Sequence, residues 1–114
     1  MFKKNARAVS PHEAKELIDK GALIIDVREL SEWNHGHAPE AVHIPMVRVE
    51  EQLHKIPKDC DVIVCCRSGS RSSTVTSFLL SNGYKAVNMN GGMAAWHARG
   101  LPVVNSNGVR GNII

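Results

Sequence analysis

Asp61-Val62-Ile63-Val64-Cys65-Cys66-Arg67-Ser68-Gly69-Ser70-Arg71 is the stretch that decides the fold. Asp61 to Cys66 is a short, nearly continuous apolar run, the pattern of a strand covered on both faces. Arg67 to Ser70 is small and polar, with Gly69 supplying the freedom for a tight curl. From about Arg71 to Asn82, Val75, Phe78 and Leu79 fall on one face at helical spacing, and Gly83 follows the end. Strand, short loop and helix in that order predict an α/β domain with a mostly parallel sheet.

The same alternation runs outward in both directions. Ala22 to Val27 reads as a second buried strand, with Asp26 as its one acid. Before it, Ser10 caps, Pro11 opens and Glu13 completes the capping box of a helix that presents Ala14, Leu17 and Ile18 and stops at Gly21. Arg7 to Val9 reads as a short edge strand and Val42 to Ile44 as another, closed by Pro45. Residues 47–56 carry a modest helical pattern in Val47, Val49, Leu53 and Ile56. Ala86 to Met89 is the last strand. Gly91-Gly92 then turns into a short helix bearing Met93 and Trp96, stopped by Gly100 and Pro102. The Asn- and Gly-rich end, 104–114, is expected to be a loosely ordered tail on a core of about 7–103.

The chain has 114 residues, the size of one domain. A charge of +3 spread over scattered Lys and Arg, with 4% aromatic residues, argues against nucleic-acid binding. No run approaches a membrane span, and Met1 to Asn5 lead into no apolar segment, so a cytoplasmic protein is expected. Three cysteines, two of them adjacent, make a poor disulfide framework and suit a reducing compartment with a working thiol.

That thiol is Cys66. A loop at the carboxyl end of a parallel strand, opening a helix, aims backbone N–H groups inward and adds the positive helix end. Arg67 and Arg71 add two permanent charges, and Ser68, Gly69 and Ser70 allow the curl. Each feature favours an anion at the loop centre, so a thiolate at Cys66 is stabilised and its pKa depressed. Such a thiolate attacks sulfane sulfur without a general base, and the same donors cradle the persulfide that results.

These residues resemble the active-site loop of the single-domain rhodaneses. Three further motifs extend the resemblance from about Ser10 to Val103. They are Asp26-Val27-Arg28-Glu29, then Gly36-His37-Ala38-Pro39-Glu40-Ala41-Val42-His43-Ile44-Pro45, and Gly91-Gly92 with Trp96 and Gly100-Leu101-Pro102-Val103. Ala38 and Glu40 depart from the family's usual Ile and Gly. The resemblance implies a three-layer sandwich with a central parallel five-stranded sheet and helices on both faces. It also implies transfer of sulfur from thiosulfate or a persulfide to a thiol, cyanide or protein acceptor. Cys66 would be the nucleophile, Arg67 to Arg71 the anion cradle, and the two arginine side chains guides for an anionic donor. No cofactor is implied.

Other residues fit quieter roles. Asp26 and Arg28 read as an ion pair bracing the loops. Cys65, one strand position before Cys66, faces the opposite side and belongs to the core. His35, His37 and His43 lack the spacing of a known metal site, so no metal is expected. His12, His54 and His97 read as solvated, and Trp33 and Trp96 as core.

Rival functions share the chemistry. A cysteine phosphatase or arsenate reductase also holds its cysteine in an anion loop, but phosphatases space Cys and Arg one residue wider than Cys66 and Arg71. A persulfide carrier handing sulfur to a partner protein uses the same half-reaction and is not separable by sequence.

Overall fold

The computed structural model describes residues 7–114. Five strands form one sheet: β1 (Ala8–Val9), β2 (Leu23–Asp26), β3 (Val42–His43), β4 (Asp61–Cys65) and β5 (Lys85–Met89). The order across the sheet is β1-β5-β4-β2-β3, and every pairing is parallel. Four helices join them: α1 (Pro11–Asp19), α2 (Leu30–His35), α3 (Ser70–Ser81) and α4 (Gly92–Ala98). The chain therefore folds as the parallel, helix-covered sheet that the alternating apolar runs predict.

β4 lies at the centre, between β5 and β2. The chain leaves β2 toward β3 on one side and β4 toward β5 on the other, so the order reverses between β2 and β4. A crevice opens beyond the carboxyl ends of two such strands. Cys66 follows β4 there, and Arg28 follows β2.

The sheet separates two apolar clusters, as strand alternation requires. On one face Ile25, Val27, Val62, Val64 and Cys66 meet Val75 and Leu79 of α3. On the other, Ile24, Ile63, Cys65, Val87 and Met89 meet Ala14 of α1 and Met93 and Trp96 of α4. The adjacent cysteines thus face opposite layers. Trp96 is fully buried and its indole N–H donates to Pro102 O at 2.8 Å, so the core reading holds for it.

α1 begins as its sequence demands, with Glu13 N–H donating to Ser10 Oγ and Ser10 N–H to the Glu13 carboxylate. Among the described residues, no helix is long and apolar enough to cross a membrane.

Two sequence expectations need correction, and one helix was not anticipated. The helical pattern over 47–56 resolves into two single 3-10 turns, Met46–Arg48 and Leu53–Lys55. Val49 and Ile56 are buried and Leu53 packs on the same core, but Val47 is 81% exposed there, so the four share no single helical face. α2 was not legible, since six residues carry too few apolar positions to show a period. The end of the chain is not a loose tail: Val104 bridges both His37 and Arg110, Gly111 is buried, and Asn112 N–H donates to His35 O at 2.9 Å. Gly111, read as flexibility, lets the backbone approach closely. A Cβ on Gly111 would lie 2.6 Å from His35 O.

Candidate active site

Cys66 directly follows the central strand and is 1% exposed. The loop turns on Gly69, whose φ of 114° belongs to the left-handed region that glycine occupies without strain. That turn brings Gly69 N–H to 3.1 Å from Cys66 Sγ, at the head of the twelve-residue α3. Burial pushes the Cys66 thiol up. Hydrogen bonds that the Ser72 hydroxyl and the backbone N–H groups of Ser72, Gly69 and Ser68 give the thiolate outweigh it and hold the thiol below its ordinary value. Cys65, fully buried on the other face beside Asp26, is pushed up instead, first by desolvation.

α4 supports the loop from behind. Met93 N–H donates to Cys66 O at 2.8 Å and Ala94 N–H to Arg67 O at 2.9 Å. These are first-turn donors with no partner inside their own helix. Gly92 makes the approach possible, since a Cβ there would lie 2.4 Å from Arg67 O and 2.5 Å from Cys66 O.

Ser68 on the loop and Ser70 at the start of α3 are exposed. Arg67 is exposed, and its Nε–H donates to the backbone oxygen of Ile114 at 2.8 Å. Arg71 differs from the sequence expectation of a free guide for anions. Both its terminal nitrogens donate to Glu32 of α2, at 2.8 and 2.9 Å. The Arg71 guanidinium draws the Glu32 carboxyl down to about 2, against an opposing push from burial. Much of the Arg71 charge is thereby spent inside the protein.

Asp26 and Arg28 form a fully buried ion pair, as the sequence suggested. Arg28 Nε donates to Asp26 Oδ1 at 2.9 Å and Nη2 to Oδ2 at 2.7 Å. Nη2 also donates to Gly36 O at 2.7 Å, fixing the loop after α2 to the end of β2. Trp33 stacks on His37 at 3.6 Å and on His43 at 4.8 Å. The carbonyls of Trp33 and Arg28 accept from His37 Nδ1 and His43 Nε2. These histidines are hydrogen-bonding struts for the loop.

Three residues close to the sulfur or its loop were missed in the sequence. Ser72 Oγ is 3.3 Å from Cys66 Sγ, and Asn88 of β5 donates to Gly69 O at 3.1 Å. Glu32 is the third. Ser72 was within reach of reasoning, one residue beyond the loop. Asn88 and Glu32 carry no local signal, because only the fold brings them in.

A reversal of strand order, a buried cysteine at the head of a helix and backbone donors aimed at its sulfur make a site suited to an anion. The chain belongs to the rhodanese-like domain family, which it matches over residues 10–99. It is 40% identical to the putative sulfurtransferase YtwF of Bacillus subtilis, over 84% of this chain and 95% of that one. It is 39% identical to a sulfurtransferase of Allochromatium vinosum, over 75% and 81%. The crystal structure of a rhodanese-related protein from Thermoplasma volcanium superposes with a TM-score of 0.81 at 31% identity, covering 86% of this chain and 97% of that chain.

Proposed function

We propose that the protein is a sulfurtransferase that carries sulfane sulfur as a persulfide on Cys66. The observation that carries this reading is the Gly69 N–H directed at Cys66 Sγ within a loop held by α4. A thiolate so stabilised attacks the outer sulfur of thiosulfate or of a persulfide donor. The new S–S bond forms as the old one breaks, and sulfite or a thiolate departs with the electron pair. A thiol, cyanide or protein nucleophile then attacks the outer sulfur of Cys66-S-S⁻, and the bonding pair returns to Sγ as thiolate. No external oxidant or reductant is needed. The Gly69, Ser68 and Ser72 amides serve both anionic states, which differ by one sulfur atom in reach. We place the reaction among small solutes of the cytoplasm, with a sulfur-accepting protein as a further partner.

The test is intact-protein mass after incubation with thiosulfate, beside Cys66→Ser. One added sulfur atom, removed by cyanide and absent from the variant, is the expected result. A folded Cys66→Ser protein that still transfers sulfur would end the reading.

A further inference from the structure

The Ser72 hydroxyl has one proton and three acceptors within reach. Its Oγ lies 3.3 Å from Cys66 Sγ, 3.2 Å from Gly69 O and 2.5 Å from Asn88 Oδ1. The neighbour on the far side decides between them. Gly69 O accepts and cannot donate, so the Asn88 group facing it at 3.1 Å is the amide nitrogen Nδ2. The Asn88 carbonyl oxygen therefore faces Ser72, and it too can only accept. The closest of the three contacts thus takes the serine proton, and Ser72 turns a lone pair toward the sulfur.

This arrangement suits a thiol or a persulfidated Cys66, whose Sγ is uncharged. It does not suit a thiolate, which needs the proton. Ser72 is fully buried and Asn88 8% exposed, so water is poorly placed to supply a substitute donor. We propose that Asn88 is a positioning residue for Cys66: it draws the Ser72 proton away while Sγ is neutral and yields it when Sγ becomes anionic. The proposal rests on Cys66 being the reactive sulfur. In the transfer half-reaction the S–S electron pair arrives on Sγ, and the hydroxyl rotates from Asn88 to meet it. Asn88 thereby opposes the thiolate by competing for its donor.

The charges near Cys66 cannot substitute for this device. Arg71 is held by Glu32, exposed Arg67 donates to Ile114, and Cys65 behind the sheet stays neutral. The α4 amides of Met93 and Ala94 are engaged by loop carbonyls.

The test is the pH dependence of Cys66 alkylation by iodoacetamide, followed by peptide mass, in a cycle of Asn88→Ala, Ser72→Ala and the double variant. Freeing the Ser72 proton is expected to move the Asn88→Ala midpoint down by about one pH unit, close to tenfold faster alkylation below it. In the Ser72→Ala background the same change is expected to move nothing. Asn88→Ser, milder within the strand and too short to reach Ser72, is to shift the profile in the same direction. An unmoved or raised midpoint overturns the proposal. So does an equal shift without the Ser72 hydroxyl, which would make Asn88 a mere support of Gly69. A Cys66 unreactive in every protein would instead defeat the sulfurtransferase reading itself.

Discussion

Arg71 and Glu32 meet as a two-pronged ion pair at 2.8 and 2.9 Å, joining the first turn of α3 to α2 across 39 residues of sequence. The loop motif alone presents Arg71 as a free cation for an anionic donor. Its actual partner changes what substitutions there should do.

Glu32→Gln is expected to release the Arg71 charge and lower the KM for thiosulfate severalfold, with kcat little changed. Glutamine keeps an oxygen for the Glu29 N–H that Glu32 accepts at 3.0 Å. The gain should fade with added salt, since Arg71 is partly exposed. Steady-state kinetics at two ionic strengths decide the matter, and an unchanged KM would mean Arg71 stays out of the donor's reach. The pair also has a pH signature. A carboxyl lowered from 4.5 to about 2 stabilises the fold above the unfolded value and loses that contribution as pH falls from about 5 toward 2. Glu32→Gln should flatten this part of the stability curve.

Gly92→Ala is expected to disable sulfur loading more than it disturbs the fold. A methyl group at φ 60° costs roughly 1–2 kcal/mol in backbone strain. It also drives into Arg67 O and Cys66 O, so the loop must lift from the α4 amides. Thiosulfate-dependent mass gain should fall at least tenfold in a protein whose circular dichroism is unchanged. Normal loading would show that the α4 contacts do not shape the cradle.

The central strands were legible as short continuous apolar runs, and the long helices because their apolar residues repeat at a period of 3.6 over enough residues. The loop was legible because its elements are consecutive, from Cys66 to Arg71. What escaped was non-local. Glu32 sits on a helix too short to show a period, and Asn88 reads as one polar position in a strand. The end of the chain misled for a related reason, since glycine marks flexibility and close backbone packing alike. Only the neighbours at Gly36 and Gly111 separate the two meanings.

Asp26→Ala is expected to destabilise by about 3–5 kcal/mol, because it strands the fully buried Arg28 without its counter-charge. Arg28→Lys should also be costly, since an ammonium cannot span Asp26 and Gly36 O as the planar guanidinium does. Denaturant midpoints give both values. A cost below about 1 kcal/mol would place the pair among exposed, weak bridges instead.

Residues 104–114 provide the sharpest contrast between composition and structure. The Asn- and Gly-rich sequence predicts amide protons that exchange freely. The structure ties Val104 N–H to His37 O at 2.9 Å, Gly111 N–H to Val103 O at 3.0 Å and Asn112 N–H to His35 O. Hydrogen exchange should therefore find these three amides protected. Gly111→Ala places a methyl group 2.6 Å from His35 O and 2.8 Å from Gly36 Cα, which forces the segment away. Losing two backbone hydrogen bonds there should cost roughly 1–3 kcal/mol and expose the 111 and 112 amides first. The loss should reach the Cys66–Arg71 loop as well, because Arg67 Nε–H donates to Ile114 O. A guanidinium released from that contact becomes available to an anionic donor, so Gly111→Ala should lower the KM for thiosulfate while it weakens the fold. Unprotected amides in the native protein would return the segment to the loose tail its composition suggests.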